Sequence, residues 1–71
     1  MNTPEWAIEV VYFKNGDCVF VNDFRYKYCR RGEVLLEGRW AEESKSDYLN
    51  RILKLGIVLR HEPLNVSLEN K

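Results

Sequence analysis

Few side chains in this 71-residue sequence could do covalent or metal chemistry. His61 is the single histidine, Cys18 and Cys29 are the two cysteines, and Ser44 and Ser46 are hydroxyls that a base could in principle activate. A catalytic triad needs an imidazole beside its nucleophile, held there by a third group. Ser44 and Ser46 stand where a helix begins and are explained by capping, so His61 is read as a polar residue at a strand end. Structural zinc takes four ligands, usually in closely spaced pairs. Cys18, Cys29 and His61 are three, with no C-x-x-C and no H-x-H. The glycines at 16, 32, 38 and 56 are dispersed, so neither a phosphate loop nor a dinucleotide fingerprint can be built. Glu42 and Glu43 adjoin the helix start, where the macrodipole accounts for acids. The expectation is a protein that is not an enzyme, with no catalytic residue, no metal and no cofactor. Cys18 is read as a small core residue. Cys29 shares a strand face with Arg25 and Lys27, and if exposed there its thiol would be activated by their charge.

The unusual stretch is Phe24-Arg25-Tyr26-Lys27-Tyr28, which runs through Cys29 into Arg30-Arg31-Gly32. Side chains alternate across a strand, so Arg25, Lys27 and Cys29 point one way and Phe24, Tyr26, Tyr28 and Arg30 the other. A single-strand nucleic-acid binder wants rings and cations on the same side. The pattern separates them. The RNA-recognition signature also fails, because Glu33 follows Arg31-Gly32 where an aromatic belongs. One reading has the tyrosines completing a core while Arg25 and Lys27 keep an edge soluble. A second has Trp6, Tyr26, Tyr28, Arg30, Arg31 and Trp40 contacting another protein, since Tyr, Trp and Arg dominate interface hot spots. A third sets Arg25, Lys27, Arg30, Arg31 and Arg39 against phosphates.

The elements that must position these residues are legible. "WAIEVVYFK", Trp6 to Lys14, is strand material. Asn15-Gly16 predicts a two-residue type I′ hairpin into "DCVFVN". That turn would pair Lys14 with Asp17 and Val11 with Phe20. Trp6, Ile8, Val10, Tyr12, Val19 and Val21 would then share one face, and Val11, Phe13, Cys18 and Phe20 the other. Both faces are apolar, so something should cover each. Phe24–Arg30 and "EVLLEGRW" follow as third and fourth strands, joined at Arg31-Gly32. In the fourth, Val34, Leu36 and Trp40 are expected on one face. "ESKSDYLNRILKLG" is a helix with Ser44 as N-cap, Asp47 as its capping partner and Gly56 at the left-handed C-terminal position. Its apolar stripe is Tyr48, Leu49, Ile52, Leu53 and Leu55. "IVLRHE" is a last strand stopped by Pro63, and residues 62–71 a flexible tail.

The expected fold class is α+β: an antiparallel meander of four strands, one amphipathic helix and a final short strand, forming one domain over residues 1–71. A chain this short buries only about 60% of its unfolded surface, which favours help from a second copy. Its 11 basic and 11 acidic residues cancel, which counts against a dedicated nucleic-acid domain. They do not cancel locally. Residues 1–23 carry Lys14 against Glu5, Glu9, Asp17 and Asp23, and residues 24–40 carry Arg25, Lys27, Arg30, Arg31 and Arg39 against Glu33 and Glu37. The opening "MNTPEW" has no apolar leader and no run approaches a membrane span, so a cytoplasmic protein with reduced thiols and no membrane contact is expected. The functional expectation is a small protein-binding regulatory module, an adaptor or an inhibitor acting by occlusion. By size alone it suits the regulators of bacteria and phages. A homodimer is one form it could take, and a nucleic-acid-binding regulator using residues 25–39 is the alternative.

Overall fold

The computed structural model describes residues 3–64. In chain order the elements are β1 (Glu9–Phe13), β2 (Asp17–Val21), β3 (Arg25–Arg30), β4 (Glu33–Arg39), α1 (Lys45–Leu55) and β5 (Val58–Pro63). They form one antiparallel sheet in the order β4-β3-β2-β1-β5, with α1 on one face. The fold is α+β, a four-stranded meander, a helix and a final strand. Leaving β4 at one edge, the chain passes through α1 and returns β5 to the opposite edge beside β1.

The first hairpin corrects the expected register by one residue. Val10 pairs with Phe20, Val11 with Val19 and Tyr12 with Cys18. The cause is a three-residue connection, Lys14-Asn15-Gly16. Gly16 donates its N–H to the Phe13 carbonyl at 3.0 Å, and only Gly16 in that turn has positive φ, at 96°. The Asn15 side chain accepts the Asp17 N–H at 2.9 Å, an Asx-type contact that holds Asn15 out of the left-handed geometry a type I′ turn demands. Because side chains alternate with period two, a one-residue shift regroups the faces. Val11, Phe13, Val19 and Val21 share the helix side and form a buried cluster with Leu49 and Ile52. Val10, Cys18 and Phe20 form the second cluster with Ala7 and Cys29.

The type I′ geometry occurs instead at Arg31-Gly32, where φ is 51° and 83° and Arg30 pairs with Glu33. Beyond it, a register shift between Tyr28 and Cys29 leaves Leu35 as an extra residue on β4. Val34 therefore pairs with Cys29 on the second face and Leu36 with Tyr28 on the helix face. The expectation that Val34 and Leu36 share a face is corrected by this bulge.

Helix α1 has the expected caps. Ser44 Oγ accepts the Asp47 N–H at 3.1 Å, and Gly56 takes a left-handed φ of 74° and donates to the Leu53 carbonyl. Leu49 and Ile52 are buried and Tyr48 half-buried, but Leu53 and Leu55 are exposed, so the buried stripe is narrower than expected. Lys45 ties the helix start to the sheet, reaching Glu9 at 2.6 Å and Asp23 at 3.2 Å, while His61 contacts the other Glu9 oxygen at 2.6 Å. Burial works to raise the Glu9 pKa, but the bonds from Lys45 and His61 outweigh it and hold it below the ordinary value.

The second face is closed from within. Trp6, Tyr12 and Leu64 pack on it, Arg25 lies 4.5 Å over the Trp6 ring, and Arg60 lies 4.4 Å over Tyr12. Such stacked cations lay their aliphatic stems over apolar surface while the charge stays wet. β5 extends through Pro63, opposite Glu9, two residues into the segment expected as tail. Proline is tolerated there because β5 is an edge strand. The remainder of that expected tail, from residue 65, lies outside the described residues.

Candidate interaction groove

Helix α1 runs three turns and buries its stripe over β1 and β2. The helix-side face of β3 and β4 is left as a groove of about 310 Å³, floored by Val19, Tyr26, Tyr28 and Leu36 and walled by Trp40 and Tyr48. Trp40 is its fixed point. Its backbone N–H donates to the Phe24 carbonyl at 3.0 Å and its Nε1–H to the Asn22 carbonyl at 2.8 Å, so the indole is anchored to the β2–β3 turn. Tyr26 and Tyr48 flank it, with ring centroids 4.8 and 5.4 Å from the indole and tilted planes, the geometry aromatic pairs prefer. Gly38 makes room for Tyr26: a Cβ there would meet the phenol oxygen at 3.0 Å. Glu42, Glu43 and Arg51 form a charged rim, with Arg51 held by Glu43 through bonds of 2.8 and 2.9 Å. An apolar, aromatic centre inside a polar rim is the anatomy of a protein interface.

Below the groove lies a buried carboxylate. Asp17, 2% exposed, accepts a bidentate pair from Arg30 at 2.8 and 3.0 Å and the Tyr28 hydroxyl at 2.6 Å. The Arg30 bonds, then the Tyr28 bond, hold the Asp17 carboxyl far below the usual range. Burial and the neighbouring Asp17 push the Tyr28 phenol up to about 12. This network fixes the Tyr28 ring at the groove floor, where it also packs 5.4 Å from Phe13.

The structure brings three of the six expected partner contacts together: Tyr26, Tyr28 and Trp40. Trp6 lies on the opposite face beneath Arg25, Arg30 is engaged by Asp17, and Arg31 sits in the β3–β4 turn. The five basic residues are likewise divided. Arg25, Lys27 and Arg39 belong to the second face, where Arg25 pairs with Arg39 and Lys27 with Glu37, while Arg30 belongs to the helix face. Sequence reasoning missed Leu36, Tyr48 and Asp17. Tyr48 was already in the helix stripe, and only the helix's placement shows that it walls a groove. Asp17 carried no signal, because its partners lie 11 and 13 residues away.

Cys29 is buried, not exposed, and burial raises its pKa despite the charge of Lys27. Among the described residues no group of three His, Cys, Asp or Glu side chains comes together as a metal site, and no helix is long and apolar enough to cross a membrane. No family model, no curated protein and no solved structure matches the chain. Function has to be argued from the residues themselves.

Proposed function

We propose that this chain is a non-enzymatic, protein-binding regulatory module of the cytoplasm, which docks a partner protein in the groove between α1 and β4. The observation that carries the reading is the 60% exposure of Leu36 on an edge strand, on the helix face beside the anchored Trp40. Soluble proteins rarely leave a contiguous apolar patch next to an aromatic cleft without a partner for it. An unpaired edge also offers backbone groups to an added strand. The partner presents an apolar side chain to Tyr26, Trp40 and Tyr48, and binding occludes that segment of the partner. A second copy of this chain is one protein that could present it.

A second reading keeps one specific observation in its favour. Trp6, Phe24, Arg25 and Arg39 line a shallow cavity on the second face, so rings and cations do share a surface there. Phe24 is 66% exposed and Arg25 stands directly opposite Arg39, a like-charge pair that an anion would relieve. Single-stranded nucleic acid fits that arrangement. Capture of partners by the tagged protein, with and without nuclease and over a salt series, separates the two. A stoichiometric protein that survives nuclease and moderate salt supports the groove. Recovery that collapses with nuclease, with affinity falling steeply as salt rises, contradicts it and makes Arg25 and Arg39 the site.

A further inference from the structure

The two cysteines, 11 residues apart in sequence, are brought face to face by the fold. Cys18 of β2 and Cys29 of β3 are direct cross-strand partners, both free, both on the second face and both in its buried cluster. The two thiols are close enough to influence one another's protonation. The Asn22 N–H bonds the Arg25 carbonyl at the end of the same ladder, and counting in steps of two puts Cys18 and Cys29 in a hydrogen-bonded pair. Such pairs hold their Cα atoms about 5.5 Å apart, within the roughly 4.4–6.8 Å that a disulfide spans.

We propose that Cys18 and Cys29 are a redox modification site, closing to an intramolecular disulfide between β2 and β3 when the protein meets a small peroxide. Access decides the oxidant and the order. Cys18 is 6% exposed and Cys29 1%, which admits hydrogen peroxide and excludes a bulky disulfide such as oxidised glutathione. The Cys18 thiolate attacks one peroxide oxygen, the O–O bond breaks, and Cys18 becomes a sulfenic acid while the other oxygen leaves as hydroxide, which takes up the proton Cys18 released on ionising and becomes water. The Cys29 sulfur then attacks the Cys18 sulfur. An S–S bond forms, the S–O bond breaks, and the departing hydroxide takes the Cys29 proton to leave as a second water. Two thiols and one peroxide give one disulfide and two waters. With its partner already in contact, the sulfenic acid is consumed before over-oxidation to a sulfinic acid. Burial raises both thiol pKa values, so closure is slow at neutral pH and accelerates in mild alkali, where more thiolate is present. This site is independent of the groove and of what binds there.

The test exposes the reduced wild-type protein to hydrogen peroxide, removes the peroxide, alkylates remaining thiols in denaturant and measures intact mass and peptide maps. The expected result is loss of both alkylatable thiols together in a monomer lighter by two hydrogens, with residues 18 and 29 in one cross-linked peptide and full recovery on treatment with dithiothreitol. A Cys29→Ser protein, given the same exposure, should hold a Cys18 sulfenic acid that dimedone traps. Independent loss of the two thiols, oxygen-bearing cysteines in the wild type, disulfide-linked dimers, or thiols that stay alkylatable throughout would each overturn the proposal.

Discussion

Val19 and Leu36 stand in one row across the sheet, linked through Tyr28, and both face the helix side. Val19 is 1% exposed and Leu36 60%. The residue type does not differ in kind; the cover does. Helix α1 lays Leu49 and Ile52 over the β1–β2 half, and the β3–β4 half is left with aromatic side chains and no second layer. The covered half is where the protein's stability is concentrated. The open half carries apolar surface that α1 leaves uncovered, and that surplus is what the proposed partner would cover.

Substitutions can break this contrast. Ile52→Ala removes buried atoms from the covered half and should destabilise by about 2–5 kcal/mol. Leu36→Ala should change stability by no more than about 0.5 kcal/mol, as for other exposed positions. Denaturant titration of both variants checks the pair. Comparable losses would mean that β4 is as much a part of the core as α1.

A pH series sharpens the contrast, because the Asp17–Tyr28–Arg30 network joins the two halves. The Asp17 pKa is depressed on folding, so its contribution is complete above the unfolded value of about 3.9 and is lost as pH falls below that. The Tyr28 pKa is raised to about 12, so its contribution is complete below the unfolded value of about 10 and is lost as pH rises from there through the folded value. Thermal or denaturant midpoints should therefore hold a plateau and fall at both ends. Tyr28→Phe should flatten the alkaline fall, and Asp17→Asn the acid one. An unchanged profile in either variant would remove the network from the account.

Smaller effects are expected at the boundaries of the open half. Ser44→Ala deletes the N-cap that starts the helix and should cost about 1 kcal/mol in the same titration. Gly38→Ala brings a methyl against the Tyr26 phenol, whose oxygen must give way by a few tenths of an ångström. Its effect should show in Trp40 fluorescence, through the stacked Tyr26, more than in stability.

What could be read from residues alone follows the range of the forces. The helix and its ends were legible because Ser44, Asp47 and Gly56 act within one turn. The strands were legible from β-branched and aromatic runs. The turns were less so. Asn15-Gly16 matches the best two-residue hairpin signal, yet the Asn15 side chain bonds the Asp17 backbone and makes the connection one residue longer. Arg31-Gly32 is a poor match and adopts the left-handed pair, because Arg30 is held opposite Glu33 by strand pairing and by Asp17. That single-residue difference regrouped Val19, Val21, Cys18 and Phe20 relative to β1, whereas the meeting of the two thiols is set by the β2–β3 register. Tyr26, Tyr28 and Trp40 were identifiable as candidate contacts from type. Their gathering into one groove depends on where an 11-residue helix stops covering a five-stranded sheet, which no local pattern encodes.

The central claim is that the open half, and not simply exposed apolar surface, receives the partner. Leu36 and Leu59 are near-equal in exposure, at 60 and 61%, but Leu36 borders the aromatic groove and Leu59 lies on β5 at the opposite edge. The decisive measurement is quantitative partner capture after nuclease treatment by wild type, Leu36→Asp and Leu59→Asp proteins of matched stability. The account predicts that Leu36→Asp abolishes recovery of the stoichiometric partner and that Leu59→Asp retains it. Full recovery with Leu36→Asp, or loss only with Leu59→Asp, would contradict it.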